Sequence, residues 1–418
     1  MKLSPLPVLL LGSSRALGSE FQKPLKTAST SINSPSHESS HDSPSYRDDL
    51  VSLHKSLVEI SSISGNENEV GNFLIDYLTT RDFTVQLDTI PPSSTSSKDS
   101  KPRFNVLAWP SSNLHPSPKV LVSSHIDTVP PFIPYSRNDS SLNPDTLIAG
   151  RGSVDAKASV AAQIIALQSL LDSAIIAGGE DSIMLLYVVG EETSGVGMRH
   201  FSETRGKLDP PPDFKAAIFG EPTEGRLVCG HKGIFGCNIT AHGHAGHSGY
   251  PWLGKSATEL MMRGLVRVLE TDLGSSEEFG NTTVNVGMFE GGVAANVIPE
   301  RATVRLAVRV AIGPELDGAK IAADRLMEVM RSVDEDAFEF DCNYGYGVIK
   351  CDCDVEGFET TTVNYGTDVH NLEGNHTRYL YGPGTIFVAH GPDEAIKLGD
   401  LETAVEDYKK LILHALES

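Results

Sequence analysis

Ile183-Met184-Leu185-Leu186-Tyr187-Val188-Val189 is a run of seven apolar residues with no polar break. A strand with one wet face alternates apolar and polar side chains. An unbroken run of this length, rich in β-branched and aromatic residues, predicts instead a strand buried on both faces. It ends in Gly190-Glu191-Glu192-Thr193-Ser194-Gly195. Adjacent carboxylates repel each other and are costly to desolvate singly. A solvated pair in a β-to-α turn is one explanation. The other is a bound cation, with one carboxylate as ligand and its neighbour free to act as a base.

The surrounding chain alternates in the same style. Strands are expected at 105–109, 119–123, 183–189 and 216–219, with helices at 154–172 and 195–204 between them. This rhythm predicts an α/β fold with a mostly parallel sheet, whose ligands gather at the carboxyl ends of the strands. Two amphipathic helices precede it, marked by Leu50, Leu53, Leu57 and Ile60 and by Val70, Leu74, Tyr77 and Leu78. Near His231 the pattern changes. Alternating strands at 234–241, 282–289 and 303–310, with helices at 256–270 and 315–331, read as a small inserted α+β domain of β-α-β-β-α-β order. The expected boundaries are 46–231 and 341–418 for the main domain and 232–340 for the insert.

Residues 1–18 have a charged start, a short apolar core and a small-x-small site before Ser19, the pattern of a secretory signal peptide. Residues 19–45, rich in Ser, Pro and His, read as a disordered leader. No other segment reaches the ~20 apolar residues of a membrane span. Four sequons, at Asn138, Asn238, Asn281 and Asn375, are candidate glycosylation sites and fit a secreted, extracellular location. The net charge of -21 argues against nucleic acid and against an anionic membrane surface as partner. Five cysteines cannot all pair within the chain, and Cys351-Asp352-Cys353 is too tight for usual zinc spacing. They read as disulfide candidates with unassigned partners.

Four further motifs fall just past expected strands. In Ser124-His125-Ile126-Asp127, alternation points His125 and Asp127 the same way, so a carboxylate can orient an imidazole. Gly150-Arg151-Gly152-Ser153-Val154-Asp155 leads into a helix expected to start near Asp155, where a capping aspartate is the plain alternative to a ligand. Gly220-Glu221-Pro222 sets a glutamate at a strand end before proline. His390 follows the glycine turn Gly382-Pro383-Gly384. Together these place two imidazoles and several carboxylates at one sheet edge, a nitrogen and oxygen donor set that suits zinc. The excess of carboxylates suits two metals sharing one acid.

From about Leu50 to the C-terminus these motifs stand in the order of the co-catalytic zinc hydrolases of peptidase family M20, which the chain resembles. That family includes acetylornithine deacetylase, succinyl-diaminopimelate desuccinylase, aminoacylase and the glutamate carboxypeptidases, and the chain is most like its secreted fungal carboxypeptidases. The resemblance implies two Zn2+ ions per subunit. His125 would bind one and His390 the other, Asp155 would bridge them, and Glu192 and Glu221 would complete opposite sites. Glu191 would be the general base acting on a water between the metals, and Asp127 would orient His125. Gly243-His244-Ala245-Gly246-His247-Ser248-Gly249-Tyr250-Pro251 is similar to the family's lid motif. There His247 would polarise the scissile carbonyl, often in the partner subunit of a homodimer formed through the insert. Asn296, Arg309, Gly366 and Thr367 would touch substrate, Arg309 at the substrate's carboxylate. Ala307 stands where many relatives carry an acid, and Ala158 where many carry glycine.

The implied activity is hydrolysis of an amide bond in peptides or N-acyl amino acids, by a carboxypeptidase or alternatively by an acetylornithine-type or N-acyl-amino-acid deacetylase. A non-catalytic zinc-binding glycoprotein is the alternative of another class. A serine nucleophile in Gly246-His247-Ser248-Gly249 is disfavoured, because the final glycine of the nucleophile elbow is missing.

Overall fold

The computed structural model describes residues 43–92, 101–138 and 141–417. The expected signal peptide and most of the leader therefore lie outside the described residues. Among the described residues no helix is long and apolar enough to cross a membrane.

The described residues open with helices α1 (Arg47–Glu59) and α2 (Asn68–Thr79), then strands β1 (Thr84–Ile90), β2 (Arg103–Trp109) and β3 (Val120–His125). Helix α3 (Lys157–Asp172), β4 (Ile183–Val188), α4 (Val196–Thr204) and β5 (Ala216–Gly220) follow. The insert supplies β6 (Gly233–His242), α5 (Ala257–Glu270), β7 (Thr283–Gly291), β8 (Arg301–Val310), α6 (Gly318–Arg331) and β9 (Phe338–Tyr346). The chain then returns to the first sheet through β10 (Thr377–Tyr381) and closes with α7 (Leu398–Glu417).

The main sheet has the order β1-β2-β4-β3-β5-β10. Strands β4, β3, β5 and β10 are parallel neighbours, while β1 and β2 run antiparallel at one edge. The apolar run at 183–189 divides as a doubly buried strand must. Ile183, Leu185, Tyr187 and Val189 join a core with α1, α2, α3 and α7, and Met184, Leu186 and Val188 pack on the opposite face with Met198 and Phe201 of α4. Gly190 adopts φ +75°, and a Cβ there would lie 2.7 Å from both the Arg103 guanidinium and Val196. Only glycine lets the strand leave its core this abruptly into the Glu191-Glu192 turn.

The inserted sheet is antiparallel, in the order β7-β8-β6-β9, with its own core against α5 and α6. Ser256 caps α5 by accepting the Glu259 N–H, a Ser-x-x-Glu start. Two disulfides bracket the insert. Cys237–Cys342 joins register partners on β6 and β9, and Cys229–Cys353 ties the strand 227–231 before the insert to the segment after it; Cys351 is free.

Three expectations need correction. Strand β9 hydrogen-bonds to β6 through Tyr346, so the insert's sheet runs past the expected boundary at 340. Its outward Glu339, Asp341 and Asn343 hide the strand in the sequence. Strand β1 was not expected; it is an edge strand with Leu87 left exposed. Helix α3 starts at Lys157, with Ala156 as its N-cap, so Asp155 stands before the helix and does not cap it.

Candidate metal centre

His125 is the last residue of β3, Glu191 and Glu192 follow β4, and Glu221 follows β5. These three strands are parallel neighbours, so their carboxyl ends bring the groups to one edge of the sheet, as open α/β sheets do with ligand-binding residues. Asp155 and His390 arrive from loops above it. Asp155 faces both imidazoles, with Oδ1 3.0 Å from His125 Nε2 and Oδ2 3.3 Å from His390 Nε2. Glu192 lies 2.9 Å from His390 Nε2, and Glu221 lies 3.8 Å from His125 Nε2. In these contacts Glu192 pairs with His390 and Glu221 with His125.

Two triads offer donor atoms all within 4.8 Å of one another: His125, Asp155 and Glu192, and His125, Glu191 and Glu221. His125, Asp155 and Glu221 are buried, whereas half of the His390 side chain is open to solvent.

Asp127 is buried beside His125, but its carboxylate is turned elsewhere. His125 Nδ1 lies 3.0 Å from the Asp127 main-chain carbonyl and 3.6 Å from Oδ1. The carboxylate accepts the Glu191 N–H at 3.1 Å, the Glu192 N–H at 3.3 Å and the Ser64 hydroxyl at 2.6 Å. Asp127 thus holds the turn that carries both glutamates.

The electrostatics state the site's requirement. Burial, then the Glu221 charge, pushes Glu191 well above the ordinary carboxylate range; burial also raises Glu221 and Glu192. Burial lifts Asp368 to about 6. Burial alone would lower His125, but the Glu221 charge and the Asp155 contact hold it well above its usual value. Glu192 Oε1 is buried without a hydrogen-bond partner. Carboxylates gathered this closely cannot all ionise in a buried site without a compensating cation. The imidazole and carboxylate donors fit such a cation.

Of the residues expected to touch substrate, Arg309 and Gly366 meet. A Cβ on Gly366 would lie 2.6 Å from the Tyr346 hydroxyl and 3.6 Å from Arg309 Nη1, and Glu191 is among the charges acting on Tyr346. Thr367 is buried, 3.2 Å from His231 Nε2, and accepts the Val369 N–H. His247 and Asn296 are exposed on the insert. They adjoin each other where the two-residue strand 246–247 pairs with 297–298. His247 accepts the Gly249 N–H and packs near Tyr250, outside the imidazole–carboxylate group of its own chain. All four sequon asparagines are exposed.

Sequence reasoning missed Asp368, one residue past Thr367, and passed over Arg151, inside the motif that ends at Asp155, and Glu394, four residues past His390. It also missed a cluster joining the insert to the main domain. Glu315 accepts from His370 at 2.9 Å and from Arg378 at 2.9 Å, and His370 stacks on Tyr346 with ring centroids 4.1 Å apart.

Comparison with known proteins assigns the chain to a family. A peptidase M20 domain-containing protein of Sordaria macrospora is 54% identical over 94% of this chain and 90% of its own. The chain belongs to the M20 peptidase family. A protein of Aspergillus flavus named as a probable carboxypeptidase is 48% identical over 95% of this chain and 94% of its own. Residues 229–335 match the family's peptidase dimerisation domain. Among solved structures, a tripeptidase from Staphylococcus aureus shares the fold with a TM-score of 0.71 at 21% identity, over 88% of this chain and 99% of that one. A dinuclear metal-binding M20 peptidase from Bacillus subtilis does so with a TM-score of 0.62 at 14% identity, over 89% and 99%. This M20 member is a hydrolase with a metal-binding site, and its mixed α/β fold carries the family's dimerisation domain.

Proposed function

We propose that this M20 peptidase is a secreted two-zinc carboxypeptidase. The observation that carries the two-metal reading is Asp155, whose separate oxygens face His125 and His390. His125 and Glu221 would hold one ion, His390 and Glu192 the other, and Asp155 would bridge them. Bound there, the ions would neutralise the buried carboxylates and supply a Lewis acid for an amide carbonyl and its attacking water.

The chain's own groups do the rest. Glu191 pairs with neither imidazole as Glu192 does, and its carboxylate is the base that takes a proton from water and returns it to the departing nitrogen. The Asp127 carboxylate keeps Glu191 aimed by holding its N–H. Arg309 is half-buried beside Gly366, and among the described residues no carboxylate forms an ion pair with it. Its planar fork suits the free carboxylate of a peptide C-terminus. Thr367 Oγ1 shapes the turn beside it, and Asn296 would add a contact from the insert.

A homodimer completes the reading. Met262, Val266 and Leu269 form an exposed apolar row at helical spacing on α5, within the dimerisation domain. A second copy docking there is the proposed partner, and it would carry its own exposed His247 toward the scissile carbonyl of this chain. Two disulfides and four exposed sequons favour the extracellular location.

The test pairs metal analysis with a substrate panel: dipeptides of varied C-terminal residue, the same dipeptides amidated, and N-acetyl amino acids. Two zinc ions per chain and cleavage only of peptides with a free C-terminus are expected. Turnover of N-acetyl amino acids alone would replace the reading with a deacylase. No turnover at all would leave a zinc-binding glycoprotein. Glu191→Gln should keep both ions and lose about 10²–10⁴-fold in kcat.

A further inference from the structure

Arg151 and Glu394 are both 2% exposed and form an ion pair of 2.6 Å. Neither side chain reaches the imidazole–carboxylate group, yet each grips one half of it. Glu394 Oε1 accepts the N–H of Val154 at 3.0 Å and of Asp155 itself at 3.2 Å. Its main-chain carbonyl accepts from Gly150 and from the Ser153 hydroxyl. Arg151 donates from Nη2 to the His390 carbonyl at 3.2 Å, and from Nη1 to the Gly391 carbonyl at 3.2 Å. Its Nε donates to the Pro131 carbonyl. The two loops carrying Asp155 and His390 are thus bonded to each other through one pair of charges.

Stability is a poor explanation for this pair. Burying two charges is costly, and an apolar pair of similar volume often serves a core as well or better. The backbone supplies a second, independent sign of constraint. His390 holds φ +63°, a left-handed conformation uncommon outside glycine, which persists only where the surroundings over-determine it. The bond from Arg151 falls on that residue's own carbonyl.

We propose that Arg151 and Glu394 are positioning residues that fix the spacing between the Asp155 carboxylate and the His390 imidazole, and so set the affinity for the cation on the His390–Glu192 side. Asp155 is common to both sides, but the cation on the His125–Glu221 side depends on the pair less, because β3 and β5 place its other two ligands directly, whereas His390 is held by Arg151. The inference rests on the two-cation reading above.

The experiment titrates metal-free, full-length protein with Co2+, following its absorption spectrum and the heat of binding. It compares wild type, Glu394→Gln and the double variant Arg151→Met with Glu394→Leu. Partners of metal ligands usually tune affinity by about 10–100-fold. In both variants one Co2+ should bind 10–100-fold more weakly, while the other stays within a factor of a few of wild type. If the double variant fails to fold by near-ultraviolet circular dichroism, Glu394→Gln decides alone. It keeps an acceptor for the Val154 and Asp155 N–H groups and removes the charge that pairs with Arg151. Two Co2+ ions bound as tightly as in wild type would overturn the proposal, as would equal weakening of both. Wild type that takes up a single Co2+ would overturn the two-cation reading itself and the proposal with it, an outcome distinct from unchanged variants.

Discussion

The Asp127 carboxylate accepts the main-chain N–H of Glu191 at 3.1 Å. That carboxylate fixes the backbone of the turn that carries both glutamates, while the same residue's main-chain carbonyl faces His125 Nδ1 at 3.0 Å. In Asp127→Asn one of the two acceptor oxygens becomes an NH2 group that faces N–H donors. The turn should loosen, and kcat should fall by about 10–100-fold with both cations retained. Steady-state kinetics beside metal content test this; loss of a cation with normal turnover per remaining site would contradict it.

The acidic centre predicts a pH-dependent response to metal. Glu191, Glu192, Glu221 and Asp368 all have raised pKa values through burial. An acid whose folded pKa exceeds its unfolded one weakens the fold as pH rises past the unfolded value, because the unfolded chain releases the proton first. For Asp368 the loss accumulates between its ordinary value of 3.8 and about 6. Zinc binding should reverse it, so the rise in Tm on adding zinc should be larger at about pH 8 than at about pH 5. An equal rise at both would count against a cation among these acids.

Glu315 behaves oppositely. The His370 hydrogen bond, offset by burial and aided by Arg378, lowers its pKa to about 2 from 4.5. A depressed acid contributes stability that is complete above its unfolded value and lost as pH falls through the folded one. Glu315→Gln should therefore lower Tm at neutral pH, and the gap to wild type should close between about pH 4.5 and about pH 2. A gap independent of pH would show that the contact with His370 and Arg378 works through packing and not through charge.

The exposed row on α5 predicts the oligomer. Val266→Glu places a charge in the middle of Met262, Val266 and Leu269 without touching the insert's core. Sedimentation should show a monomer, and activity should drop because His247 could no longer reach a second chain. A fully active monomer would place the carbonyl-polarising group elsewhere.

The main sheet was legible because doubly buried strands announce themselves. No alternation remains in 183–189, and the groups at its end stand out against it. Motif residues at strand ends converge for the same reason, since parallel neighbours finish side by side. Strand β9 and the contacts of Glu394 were not legible. The first carries polar residues outward, and the second depends on the meeting of two loops far apart in sequence. Asp127 shows a subtler limit: alternation gives the direction of a side chain but not which hydrogen-bond donors wait there.

Asp155 and Glu394 are 239 residues apart in sequence, although they share a hydrogen bond. Between them the chain builds an entire second domain and leaves the first sheet without its last strand. A ribosome therefore releases Asp155 and its neighbours long before His390 exists to face them. Until the final stretch emerges, the growing chain holds half a centre and exposes the edge of β5 that β10 will cover. The imidazole–carboxylate group is therefore completed late in synthesis, when the segment around His390 joins residues made more than half a chain earlier.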